Sequence, residues 1–123
     1  MPDVEVVFYR ETDGDVPMIL WLDGLNDRSQ NKCFGVISWL AKLGHELRRP
    51  HADYVGAGIY ELRVKDGRSN HRMLYFFHAR SVVVMTHGFM KQQSQIPLLE
   101  IRRALGRKKE FEANPGIHSF SWR

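Results

Sequence analysis

Residues 58–91, GIYELRVKDGRSNHRMLYFFHARSVVVMTHGFMK, decide the fold. Three apolar or aromatic runs separated by two turn signals predict an antiparallel meander. In the first run, Ile59–Val64, residues Tyr60, Leu62 and Val64 fall on one face and Ile59, Glu61 and Arg63 on the other. Lys65-Asp66-Gly67-Arg68 carries the Asp-Gly hairpin signal. His71–His78 forms the second strand, and Val82–Gly88 the third, joined through Ala79–Ser81. The unbroken Val82-Val83-Val84-Met85 run predicts a strand buried on both faces, near the sheet centre. Charged side chains in such strands are costly unless they meet solvent or a ligand. Arg63, Arg72, His87 and Lys91 are therefore the first candidates for chemistry.

Upstream, Val4–Tyr9 is β-branched and aromatic and predicts a first strand. Asp15 is suited to cap a short helix with Pro17 in its first turn and Met18, Leu22 and Leu25 at helical spacing, ending near Asn26–Asp27. A longer helix is expected from Arg28 to Leu43, with Phe34, Ile37, Leu40 and Ala41 as its apolar stripe and Gly44 closing it. The two helices are expected to form a hairpin on one face of the sheet. Residues 45–57 predict an irregular loop, since Pro50 opposes helix and strand. Its Arg48, Arg49 and His51 suit either phosphate contact or an ordinary solvated loop.

Downstream, Phe89–Gln95 is polar and loop-like, and Pro97 opens a last helix. Leu98, Ile101, Leu105 and the Lys108 stem are expected on its inner face, with Arg102, Arg103, Arg107, Lys108 and Lys109 outward. The segment from Asn114 to Arg123, with its Pro-Gly pair, predicts a loosely held tail. Together these elements predict one α+β domain spanning residues 1–123. Its core would be a small, twisted, antiparallel-rich sheet of about four strands, with the helical hairpin on one face and a C-terminal helix.

The chain has 123 residues, 43% hydrophobic and 26% charged, enough for one modest core. A single cysteine excludes an internal disulfide and any multi-cysteine zinc site, and fits a reducing cytosol. Cys33, on the apolar side of the second helix, is expected to be a small core residue. No apolar run reaches the roughly 20 residues that span a bilayer, and the acidic N-terminus is unlike a signal peptide, so a cytoplasmic protein without membrane partner is expected. The net charge of +4 is uneven: residues 1–27 hold one base against seven acids (−6), and residues 28–123 hold 17 bases against 7 acids (+10). A basic body suits a polyanion such as nucleic acid, or simply keeps the surface solvated.

The six histidines, at 45, 51, 71, 78, 87 and 118, show no metal-ligand spacing, and no phosphate loop, dinucleotide fingerprint or nucleophile elbow is present. No cofactor or metal is expected. Two arginines, a histidine and a lysine from neighbouring strands suit metal-free RNA cleavage, in which a 2′-hydroxyl attacks the adjacent phosphate. That reaction needs a proton acceptor, a proton donor for the 5′-oxygen, and positive charge around phosphorus. Arginine offers bidentate phosphate contacts, and histidine titrates near neutrality. Tyr60, Tyr75 and Phe89 can stack on bases. A lone strand histidine is more often structural, any single arginine is more often a surface charge, and Tyr75, Phe76 and Phe77 are core by default. Residue chemistry permits ribonuclease activity without selecting it.

The ordered strings GIYELR, NHRMLYFF and VVVMTHGFMKQQSQIPLLEIRRAL resemble the HigB-type, phage-derived branch of the RelE/ParE toxin superfamily over roughly residues 58–105. The resemblance implies a RelE-like fold and a ribosome-dependent mRNA endonuclease, the toxin of a type II toxin–antitoxin pair. Its partners would be mRNA, the ribosome and a helix-turn-helix, HigA-like antitoxin. By position, Arg63 and Arg72 would bind the scissile phosphate, His87 would transfer a proton, and Lys91 would add positive charge. Glu61 and Tyr75 are further participants, and Arg48, Arg49 and Arg68 further RNA contacts. Gln92 stands where the motif has a second lysine, and Ile96 where a Ser or Thr cap is common, which weakens the helix start by about 1 kcal/mol. The superfamily also contains gyrase-poisoning toxins of the same fold, so a non-catalytic interaction protein is the alternative.

Overall fold

In the computed structural model, residues 4–122 are described; Met1–Asp3 and Arg123 lie outside them. The elements run in the order β1 (Glu5–Tyr9), α1 (Pro17–Asp23), α2 (Asp27–Leu43), β2 (Ala52–Gly56), β3 (Ile59–Asp66), β4 (Ser69–His78), β5 (Val82–Lys91), α3 (Leu98–Ala113) and β6 (Ser119–Ser121). The strands form one six-stranded sheet ordered β2-β3-β4-β5-β1-β6, with β1 parallel to β5 and every other pair antiparallel. Val83 and Val84, in the fourth position across, are fully buried as expected.

Alternation along the strands divides the core in two. Val6, Phe8, Leu62, Met73, Tyr75, Val83 and Met85 meet Met18 and Leu22 of α1 and Cys33, Ile37 and Leu40 of α2 on one face. Val7, Tyr9, Ile59, Leu74, Phe76 and Val84 meet Ala104 and Phe111 of α3 on the other. Each fully buried Leu, Ile, Phe or Met in these layers contributes about 1.5–3 kcal/mol. Burial pushes the Cys33 thiol up to about 12, the behaviour of a core residue rather than a reactive thiol.

Several boundaries differ from the sequence-based expectation. The loop expected over 45–57 contains β2, an edge strand with a register shift between Tyr54 and Gly56. The tail contains β6, which pairs with β1, while His118 stacks on Tyr9 at 5.1 Å and its Nδ1 lies 2.7 Å from the Arg10 carbonyl. Six strands thus replace the expected four. α1 starts at Pro17 behind an uncapping Val16 and ends at Asp23. The Asp15 amide instead donates to the Asp13 carboxylate. Asn26 caps α2, its side chain accepting from the Ser29 amide at 2.8 Å. β5 runs on through Lys91 into the expected loop, and Leu98, expected inside α3, is exposed while Ala104 and Phe111 are buried. Among the described residues no helix is long and apolar enough to cross a membrane.

Where Trp21 of α1 meets β5 at Gly88, the strand contributes no side chain. A Cβ at Gly88 would run into the Trp21 indole, so only glycine permits the indole to lie on the backbone. Gly88→Ala is expected to cost about 1–3 kcal/mol by overpacking, read as a lower midpoint in chemical denaturation.

Candidate active site

The site depends on one extra residue in β5. Leu74 of β4 pairs with His87, but Tyr75 pairs with Met85, so Thr86 has no partner across the ladder. Side chains alternate along a strand, so a bulge exchanges the two faces for every residue beyond it. Counting from Val83 without the bulge would send His87 toward α1. With it, His87, Phe89 and Lys91 face α3, and Gly88 and Met90 face α1. Thr86 is fully buried, with its Oγ1 3.3 Å from the Leu74 carbonyl and 3.0 Å from His87 Nδ1.

Cross-strand partners share a face, so Glu61, Arg63 and Arg72 lie on the His87 side: Glu61 opposes Leu74, and Arg72 opposes both Arg63 and Phe89. Glu61 binds the arginines together. Its Oε1 lies 3.0 Å from Arg72 Nε, and its Oε2 accepts from Arg63 at 3.1 and 2.9 Å. Asp53 of β2 takes Arg63 at 3.1 Å and Arg49 at 2.9 Å, and these guanidiniums hold its carboxyl below the usual range, Arg49 first. Three guanidiniums thus share two carboxylates. Lys91 stands one row further along the same face, opposite Asn70. Arg68 is exposed in the β3–β4 turn, and Arg48 is exposed before β2. Among the described residues Lys91, Arg68 and Arg48 make no ion pair. Tyr75 is brought elsewhere: it is buried on the opposite face, stacked on Tyr60 at 5.4 Å.

His87 is half of a second buried pair. Its Nε2 lies 3.0 Å from Glu100 Oε1 in the first turn of α3. Burial, then the Arg107 charge, holds the imidazole below its ordinary range against the opposing pull of Glu100. The neutral ring donates Nε2–H to the carboxylate, which can only accept, and its Nδ1 receives the Thr86 hydroxyl proton. Because β1 pairs with β5 only as far as Met85, the next stretch of β5 borders an open cleft of about 400 Å³. Pro17, Leu20 and Trp21 of α1 line one wall, and Glu100, Arg103 and Arg107 of α3 the other, with His87 and Gly88 between them. Arg103 lies 3.4 Å from Glu100, and Arg107 3.2 Å from Glu11. Residues 100, 103 and 107 recur at helical spacing, a stripe present in the sequence but hidden within an apparently solvated basic face.

The proton-transfer candidate therefore sits apart from the arginine cluster along one sheet face, rather than within a single knot of four cations. Among the described residues no group of three or more His, Cys, Asp or Glu is placed to hold a metal.

Removing Glu61 leaves two cations without their shared buried partner. Glu61→Ala is expected to cost about 3–5 kcal/mol in urea unfolding. A second buried histidine, His71, has both ring nitrogens without a hydrogen-bond partner, and burial lowers its pKa too. Both histidines take up protons more readily in the unfolded chain, near pH 6.5, than in the folded one. Stability is therefore greatest above that pH and falls between pH 7 and 5; His71→Phe is expected to flatten the slope in pH-dependent unfolding.

A family model described as phage-derived protein Gp49-like (DUF891) matches residues 20–109, from α1 through the meander into α3. No curated protein matches the chain. The match covers the cleft residues apart from Pro17 and all of the strands that carry the candidate residues. With its sheet and helices compatible with a RelE-like fold, the chain belongs to the phage-derived Gp49-like family, within the RelE/HigB-like toxins associated with toxin–antitoxin systems.

Proposed function

We propose that the chain is a HigB-type toxin of a type II toxin–antitoxin pair, an endoribonuclease that cuts mRNA on the ribosome. The reaction is attack of a 2′-hydroxyl on the adjacent phosphate, without a metal or cofactor, and its setting is the cytoplasm. One observation carries this reading. A buried histidine paired with a partly exposed carboxylate opens into a cleft with two arginines, on the same sheet face as Arg63, Arg72 and Lys91. Proton transfer of this kind is worth roughly 10²–10⁴-fold, and guanidiniums complement the charge gathered on phosphorus.

The Arg63–Glu61–Arg72 cluster and Lys91 form a track for the RNA backbone leading to the pair. Glu61 holds the arginines in place rather than contacting RNA. Gln92, exposed beyond β5, contributes no charge where a second lysine is common, so Lys91 carries that end alone. Tyr75, behind the sheet, supports Tyr60 and the core. Arg48, Arg49, Arg68 and the exposed cations of α3 face the polyanionic surroundings. A shallow site positions RNA poorly on its own, and positioning is a large part of catalysis; the ribosome supplies it. A helix-turn-helix antitoxin covering the basic face would silence the toxin.

Expression of the chain followed by mapping of mRNA 5′ ends tests this. Cuts at codon-defined positions are expected, lost in Arg72→Ala and in His87→Ala. Intact mRNA accompanied by gyrase-linked DNA breaks would replace the nuclease with the gyrase-directed alternative. Cleavage abolished by EDTA would remove the metal-free chemistry.

A further inference from the structure

The histidine of the cleft has no ring nitrogen to offer a substrate. Nδ1 faces Thr86 Oγ1 inside the strand at 3.0 Å, and Nε2 faces Glu100 Oε1 at 3.0 Å. RNA approaching from the cleft meets the carboxylate first: the Glu100 side chain is 17% exposed against 7% for His87. We propose that Glu100 is the catalytic proton acceptor and that His87 is a positioning residue, holding the carboxylate toward the cleft through Nε2–H. This rests on the ribonuclease reading above and names the group in that site which touches the reacting atoms.

The surroundings of Glu100 fit the task. Its other neighbour is Arg103, half-exposed and 3.4 Å away, and Arg107 stands one turn further along the same stripe. Both can turn from their carboxylate partners to a phosphate entering the cleft, leaving the Glu100 carboxylate free to accept. The cleft, at about 400 Å³, is of small-ligand size, so it admits one nucleotide unit and not a duplex. Trp21 and Leu20 form an apolar wall on which a base can rest.

The 2′-oxygen forms a bond to phosphorus while its proton passes to Glu100. The bond from phosphorus to the 5′-oxygen breaks, and that oxygen takes a proton from water at the open mouth of the cleft. The hydroxide so formed recovers the proton from Glu100, leaving a 2′,3′-cyclic phosphate and a 5′-hydroxyl. His87 stays neutral throughout, as its buried position favours. The second ring nitrogen keeps the imidazole oriented by accepting the Thr86 hydroxyl proton.

Glutamine substitutions at the two positions separate the roles. Glu100→Gln preserves shape and removes the acceptor, whereas His87→Gln keeps an N–H that can reach Glu100. Single-turnover cleavage of ribosome-bound mRNA is expected to fall 100-fold or more in Glu100→Gln and to be partly retained in Glu100→Asp. His87→Gln is expected to stay within about tenfold of wild type, on the same principle that it removes no transferred proton. Binding of each variant to the programmed ribosome serves as the control for folding. Wild-type cleavage with Glu100→Gln near full rate overturns this proposal alone, as does a His87→Gln as inactive as Glu100→Gln. A wild-type protein that leaves mRNA uncut removes the ribonuclease reading and this proposal with it.

Discussion

The unpaired residue at Thr86 sets the parity of everything beyond it in β5. A strand offers two faces and no intermediate position, so a side chain is moved from one layer to the other only by adding or removing a residue. In this sheet the addition falls where β4 and β5 pass from core to cleft. Behind it, Val83, Val84 and Met85 pack the two layers; ahead of it, His87 and Lys91 join the arginines of β3 and β4. Thr86 closes the distortion on itself, since its hydroxyl satisfies the carbonyl of the partner strand or the imidazole that the bulge has turned. The irregularity is stabilised by the groups it displaces.

Charge is arranged on the same face by sharing rather than by simple pairing. Glu61 lies between Arg63 and Arg72, and Asp53 between Arg63 and Arg49, so Arg63 belongs to both carboxylates. Such sharing fixes the planes of the guanidiniums while leaving a surplus of positive charge toward solvent. It also ties the short edge strand β2 to the meander by side chains as well as by backbone. Removal of desolvated charge at the His87–Glu100 pair follows the opposite rule. There a neutral ring against one carboxylate keeps the buried pair close to a single charge, which limits the cost of desolvation.

Much of this was legible in the sequence, and the failures have physical causes. β3, β4 and β5 were visible because period-two alternation and the Asp-Gly turn are local signals. The common face of Arg63 and Arg72 follows from the register that such a turn imposes. β2 and β6 were not visible: they are five and three residues long, with Pro and Gly nearby, and each depends on a partner edge, adjacent β3 for β2 and distant β1 for β6. The orientation of His87 was unreadable for a related reason. Alternation counted from Val83 gives the wrong face, and no composition signal marks the bulge. Glu100 escaped notice because a glutamate in a charged amphipathic helix looks solvated. Only the 100, 103 and 107 stripe, combined with a cleft that sequence does not show, distinguishes it. Tyr75, a site residue only by the resemblance, fills the opposite layer, as its aromatic side chain in an apolar strand suggests.

The bare contact at Gly88 gives α1 an unusual mechanical position. Most helices rest on a sheet through side chains on both partners, which rotate and absorb small shifts. Here the Trp21 indole bears on the backbone one residue after His87, and the His71 ring meets it edge-on with centroids 5.6 Å apart. At this one point no strand side chain lies between the indole and the backbone to yield by changing rotamer. A force applied to α1, whose Leu20 projects into solvent, is therefore delivered to the main chain that holds the imidazole. The helix acts as a lever with its fulcrum under the active strand, and at that fulcrum a single indole meets bare main chain.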